Sequence, residues 1–185
     1  MELTKNSIIF VNGTSSAGKT TLCRELKNLL EIPFWHFSSD HFIDAEMHPK
    51  ARFESGEFDW PQNRPLFFDA FHRAIAAFSE AGLNLLVEHI LEEAEWAVQI
   101  AELLEGSDVF VVAAKCPTDE LIRREKARGD RNIGEAEYHL KTYLYAPADI
   151  VVDTSQPVAL CCDQILNAWR FRKQENSLAS RWKTS

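Results

Sequence analysis

The chain has 185 residues and four cysteines, Cys23, Cys116, Cys161 and Cys162. None forms a C-x-x-C pair, and no Cys/His group along the sequence has zinc spacing, so neither a redox motif nor a zinc motif is written in the chain. Adjacent Cys161 and Cys162 read as small core residues on a helix, because unpaired cysteine is usually buried. Positive charge is also short: 20 Lys and Arg stand against 28 Asp and Glu, a net charge of −8. Nucleic acid or an anionic membrane would want a broad basic surface, so neither is the expected partner. No apolar run is long enough to span a bilayer. The opening MELTKNSIIFVN, with Glu2 and a five-residue apolar run, does not read as a signal peptide. The expected location is the cytoplasm.

What is present is ordinary globular material, 45% hydrophobic and 26% charged. The length favours one domain spanning residues 1–185. Apolar runs at 8–11, 35–40, 83–88, 108–115 and 149–154 read as strands. Helical patterns fall between and after them at 20–30, 65–81, 92–106, 118–129, 135–145 and 157–171. Thr118 is the expected N-cap of its helix, and Gly82 suits the position just past the end of another. Residues 41–65 show no sustained period and read as a long functional loop. The last ten residues, NSLASRWKTS, read as loosely held. Strands that are continuous apolar runs and alternate with helices argue for an α/β fold, a parallel sheet covered on both faces. Ligands in such folds bind at the carboxyl edge of the sheet. Gly13, Asp40, Glu88, Lys115 and Asp153 all fall at that edge in this reading.

The stretch GTSSAGKT, Gly13 to Thr20, is G-x-x-x-x-G-K-[ST] in a strand–loop–helix context. Gly13 and Gly18 permit backbone angles that a β-carbon forbids. The loop Gly13, Thr14, Ser15, Ser16, Ala17, Gly18 then turns its N–H groups around a phosphate, Lys19 and Thr21 complete the cradle, and the helix adds its positive end. Lys19 reaches the outer phosphates of a nucleotide, and the Thr20 hydroxyl is the expected ligand of Mg²⁺. ATP and Mg²⁺ are therefore the expected cofactors.

A phosphate loop alone does not select a function. The D-x-x-G and N-K-x-D motifs of GTPase switches are absent from the sequence, and the chain is short for a motor. A small kinase needs a base, cations and a cover. Asp40 is the candidate base; the competing reading is that it caps a helix starting at His41. The run RREKARGDR carries Arg123, Arg124, Lys126, Arg128 and Arg131 around Gly129, a basic hinge suited to a lid over about 124–146. The bland alternative is a solvated helical face. Arg128 and Arg131 are the first choices for the transferring phosphoryl group, and Arg124 could pack on the adenine. Glu88 could hold Mg²⁺ through water, contact the substrate, or be a simple strand-end carboxylate.

The run VNGTSSAGKTTL, an aspartate twenty-one residues after its lysine, and ARGDR between the last two strands together resemble the chloramphenicol phosphotransferase family. The resemblance implies an ATP-dependent kinase acting on a hydroxyl of a small molecule, in the P-loop kinase fold with five parallel strands in the order 2-3-1-4-5. It places the catalytic aspartate on Asp40 and the lid arginines on Arg124, Arg128 and Arg131. Two features depart from the family pattern. Glu88-His89 stands where two aspartates are expected. The segment 41–65, which lines the acceptor pocket in the family, is shorter and carries His41, Phe42, His48, Phe53, Phe58 and Trp60; these aromatics could stack on a flat acceptor or pack the segment onto the core. A chloramphenicol-like antibiotic is one candidate acceptor. A sugar or nucleoside, a nucleic-acid 5′ end, and nucleotide binding without transfer are the alternatives.

Overall fold

In the computed structural model, residues 7–128, 134–172 and 178–182 are described. Five strands, β1 Ser7–Asn12, β2 Trp35–Ser38, β3 Leu85–His89, β4 Asp108–Lys115 and β5 Ile150–Asp153, form one sheet in the order β2-β3-β1-β4-β5. Every pairing is parallel. This meets the expected α/β architecture and strand order. The central strand β1 is buried along all six residues, which is why the sequence there is a plain apolar run.

Side-chain alternation divides the interior into two cores. Ile8 and Phe10 pack with Val87, Val109 and Val111 on one face. Ile9 and Val11 pack with Leu86, Phe110 and Val112 on the other. Helices α1 (Lys19–Leu29) and α9 (Val158–Arg170) close the second core with Leu22, Leu26, Cys161 and Cys162. The adjacent cysteines are thus buried and free, as their helical spacing suggested.

The long segment is not a loop. It holds α2 (Ser39–Asp44), α3 (Lys50–Glu54) and the start of α4 (Trp60–Glu80). Helix α4 begins five residues before the expected Pro65. Asp59 caps it, its side chain accepting from Gln62 N at 3.3 Å, and Pro61 sits in the first turn, where a missing N–H costs nothing. Pro65 lies just beyond, removing the one helical bond that would end on Pro61. Gly82 follows the helix with φ +89°, as expected. α5 (Ala94–Leu103) lies beside α4 under the first core.

Helix α6 (Thr118–Arg128) starts one residue earlier than expected: Leu121 N bonds Pro117 O at 3.0 Å, so Thr118 is already inside it. The helix expected at 135–145 is split into α7 (Glu135–Tyr138), a 3-10 turn His139–Lys141, and α8 (Thr142–Tyr145).

The tail also differs from expectation. Leu178–Trp182 forms α10, packed against α5. Leu178 and Trp182 are each 2% exposed. The Trp182 ring meets Phe10 edge-on at 5.5 Å, and its indole N–H donates to Pro147 O at 3.3 Å. Arg181 adds bonds to Asp149 and to Val109 O. Burying a tryptophan outweighs ordering a short segment. Trp182→Ala should therefore cost about 3–5 kcal/mol in urea unfolding. An unchanged midpoint would mean the tail is loosely held after all.

Candidate active site

The phosphate loop leaves β1 under tight steric constraint. A Cβ on Gly13 would stand 2.6 Å from Ala114 O of β4, so only glycine passes there. Ser16 and Gly18 both have left-handed backbone angles, φ +62° and +81°, and Gly18 leads directly into α1. Thr14, Ser15, Ser16 and Ala17 are buried. Lys19 is 7% exposed, and its ammonium donates to Thr14 O at 2.9 Å. The Ser16 hydroxyl is sealed from solvent with no hydrogen-bond partner among the described residues. A buried ammonium, an orphaned hydroxyl and a helix N-terminus together fit an anionic phosphate.

Asn12, Thr142 and Tyr143, which no motif singled out, tie this loop to the chain after the basic run. The Asn12 amide donates to Thr142 O at 3.0 Å, and the Thr142 hydroxyl donates back to Asn12 Oδ1 at 2.6 Å. Tyr143 donates to Ala114 O at 2.7 Å and accepts from Thr14 N at 3.3 Å. The Thr14 hydroxyl donates to Ala136 O. Buried Glu125 of α6 accepts from Gly134 N and Ala136 N at 2.8 and 2.9 Å, capping α7. Arg124 lies at the mouth of the loop, held by Glu120 at 2.8 Å and by Thr154 O at 2.7 Å. The Arg128 side chain and all of Arg131 lie outside the described residues.

Two cavities flank the loop and share Ser16, Gly18 and Thr21. One is lined also by Arg124, Thr154 and Val158. The other brings Lys19, Thr20, Asp40 and Glu88 onto one wall system with Phe68 and His139. Asp40 is not at a strand end: β2 stops at Ser38, and Asp40 is in the first turn of α2. Ser38 caps that helix, accepting from Asp40 N at 3.3 Å. The cap role thus belongs to the serine, and the Asp40 side chain lines the cavity.

Glu88 is likewise inside β3 and 6% exposed, which removes the solvent-carboxylate reading. Its Oε1 accepts from the Thr20 hydroxyl at 2.6 Å, and its Oε2 pairs with His36 Nε2 at 3.0 Å. Burial opposes its charge, but His36, the Lys19 charge and Thr20 together hold its pKa below the ordinary value. Nothing in the sequence marks His36 as its partner. The pair appears only once β2 is placed beside β3, with Ser38 opposite Glu88.

His89, next along the strand, points into the opposite core. Its Nε2 meets His72 Nε2 at 3.0 Å, and Trp96 stacks on its ring at 5.6 Å. His72 Nδ1 meets Gln99 Oε1 at 2.7 Å, and the Gln99 amide donates to Asp69 at 2.5 Å. The carboxylate dictates the direction of the chain. Gln99 must turn its oxygen to His72, so His72 carries its proton on Nδ1 and accepts at Nε2 from His89. Burial lowers both histidine pKa values, that of His89 strongly, so both rings are neutral.

The aromatics of the 41–65 segment pack mainly on one another and on the core. Phe53 meets Phe58 and Trp60 at 5.7 and 5.3 Å, and Trp60 meets Phe67 at 5.7 Å. Phe42 packs on Phe37 and Phe71. His41 packs on His36 at 4.6 Å. Ile43, not an aromatic, is the residue this segment contributes to the cavity wall.

A sequence profile described as chloramphenicol phosphotransferase-like protein matches residues 6–170. "Putative O-phosphotransferase Rv2636" of Mycobacterium tuberculosis is 29% identical over 149 residues, 70% of this chain and 66% of that protein, so the chain spans just under two thirds of the relative's length. Among solved structures, the Mycobacterium tuberculosis APS kinase CysC in complex with AMPPNP and APS superposes with a TM-score of 0.67 at 14% identity, covering 90% of this chain and 98% of that one. Shikimate kinase from Aquifex aeolicus gives 0.64 at 18% identity, covering 88% and 96%. These two likenesses show a shared fold.

The neutral histidine pair sets a pH dependence. An unfolded histidine titrates near pH ~6.5. Below that value the unfolded chain takes up protons that the folded one refuses, so stability is full above pH ~6.5 and falls as pH drops. The slope reaches at most about 1.4 kcal/mol per pH unit for each histidine. Urea unfolding between pH 7 and 5 should show this fall, and a His72→Gln/His89→Asn double variant should flatten it. Equal slopes in the two proteins would mean that the pair is not held neutral.

Proposed function

The chain belongs to the chloramphenicol phosphotransferase-like family, and from that premise we propose that it transfers the γ-phosphate of ATP to a hydroxyl group of a small molecule. The observation that carries this reading is the cavity that joins Lys19 and Thr20 of the phosphate loop to Asp40 across from them. Lys19 binds and orients the phosphates, and the Ser16 hydroxyl gives them a donor that has no other partner among the described residues. Thr20 would hold Mg²⁺, with Glu88 behind it as a charged acceptor that fixes the hydroxyl. The metal, when bound, neutralises charge on the phosphate oxygens. Asp40 orients the acceptor hydroxyl and takes its proton. Arg124 borders the cavity that would take the base. Arg128 and Arg131 supply cations from a lid spanning about 124–146. The domain would then be a single unit, with the 41–65 segment bordering the acceptor side through Ile43.

For the acceptor, a chloramphenicol-like compound follows from the family name, and the wall made by Ile43, Phe68 and His139 suits a partly apolar molecule with polar substituents.

Mass spectrometry of a hydroxyl-compound library, incubated with protein, ATP and Mg²⁺, should reveal an acceptor that gains one phosphate. Lys19→Ala should abolish the transfer and weaken ATP binding in calorimetry; persistent transfer with unchanged affinity sinks the reading. Asp40→Asn should lower turnover on that acceptor by ~10²–10⁴-fold with little change in ATP affinity. Near-normal turnover would remove Asp40 as the base. Tight ATP binding with no phosphorylated product from any compound would leave a nucleotide-binding protein without transfer chemistry. ATP analogues should also protect the chain from proteolysis near Arg128, and equal cleavage with and without nucleotide would reduce the basic run to a solvated face.

A further inference from the structure

Three side chains far apart in the sequence meet beneath the phosphate loop. Cys23 of α1, His36 of β2 and Glu88 of β3 each place one donor atom within 4.8 Å of the other two. Cys23 is fully buried, and the side chains of His36 and Glu88 are 8% and 7% exposed. We propose that this trio is a binding site for zinc or another divalent ion of the same borderline-soft class, distinct in chemistry from the Mg²⁺ corner it adjoins.

The donor set argues for that class. One thiolate, one imidazole and one carboxylate are the three protein ligand types of zinc. Hard Mg²⁺ keeps to oxygen and retains its waters, so a thiol–imidazole pair selects against it. Charge argues the same way. A divalent ion with one thiolate and one carboxylate is a neutral group, the kind a buried site tolerates. Geometry needs a modest closure. His36 and Glu88 are already in contact at 3.0 Å. A tetrahedral zinc with bonds of about 2.0–2.3 Å sets its ligands roughly 3.5 Å apart, so the widest pair must approach by about 1 Å. Cys23 is on α1, and the other two donors are on the adjacent strands β2 and β3. Three protein donors leave the fourth position for water or for the Thr20 hydroxyl. Binding breaks the Cys23 S–H bond and sends that proton to solvent, and a neutral His36 gives up its Nε2–H bond to Glu88 and keeps its proton on Nδ1, so that Nε2 and the carboxylate face the metal with the sulfur; nothing is oxidised or reduced.

The site shares Glu88 with Thr20. An ion bound at Oε2, beside His36, draws on the negative charge that Oε1 offers the Thr20 hydroxyl. It should therefore oppose Mg·ATP binding, a consequence that rests on the proposed function whereas the site itself does not.

Cobalt(II) is the probe, because thiolate ligation gives it a charge-transfer absorption in the near ultraviolet. Titration of the full chain should produce this band at one equivalent, and Zn²⁺ should bleach it. Cys23→Ser, which keeps the side-chain size, should abolish the band. If that variant fails to fold by circular dichroism, His36→Gln carries the test. Loss of an outer-shell partner typically costs 10–100-fold in metal affinity, so loss of this direct ligand should cost at least about 100-fold. No band in the wild type, a band that survives in folded Cys23→Ser, or unchanged cobalt affinity in His36→Gln would overturn the site. Calorimetry separates the two claims: an intact, Cys23-dependent band in a protein that binds no Mg·ATP supports the metal site and counts against the proposed function alone.

Discussion

Strand β1 is enclosed on every side. It has β3 on one edge, β4 on the other, and a hydrophobic core on each face. A strand held this way can expose polar groups only where it ends. The chain therefore emerges at Gly13 with a fixed direction and almost no room, as the approach of Ala114 O shows. The next residues are forced into a tight turn with two left-handed positions before α1 can begin. The anion-binding character of the loop is a result of that confinement. Neighbouring strands run parallel to β1, so their last residues arrive at the same level, and Glu88 comes to rest beside Thr20.

Polar groups beneath this edge are satisfied in two separate chains, one on each face of the sheet. On the α1 side, Glu88 is bracketed by Thr20 and His36 and stays ionised. On the α4 side, a file from Asp69 through Gln99 and His72 to His89 carries hydrogen bonds inward without carrying charge. Adjacent residues of one strand thus serve opposite electrostatic ends. Glu88 places a net charge near the phosphate loop. His89 extends a polar network into an aromatic core while remaining neutral, which a pair of aspartates at these positions would not do.

The strands were legible in the sequence because a doubly covered parallel sheet requires unbroken apolar runs, and 108–115 coincides with β4 from end to end. The phosphate loop was legible because its glycines and lysine have spacing that steric and charge requirements fix. The start of α4 was not, since Pro61 falls in an aperiodic stretch and Pro65 reads as the first residue of the helix until Asp59 is seen to cap it ahead of both. Asp40 is legible as a site residue, but its setting is not, because Ser38 and Asp40 are both competent caps and only the fold decides between them. His36 and Cys23 carried no signal, since their link to Glu88 depends on strand order. Trp182 did carry one: a tryptophan in a polar tail is costly to leave in water, and the tail folds back to bury it.

The two cavities beside the phosphate loop have Ser16, Gly18 and Thr21 in common. They adjoin at the loop, one on either side of it. A molecule long enough to place one group in each cavity would settle its second half at an effective concentration fixed by its own linker instead of by the solution. The span it must bridge is set by Ser16 and Gly18 of the loop and by Thr21 in the first turn of α1. Selectivity in such a compound would come from the end facing Ile43, Phe68 and His139, because the loop itself offers mostly backbone and small side chains. Two weak fragments, one for each cavity, are therefore a natural starting point for a tight ligand.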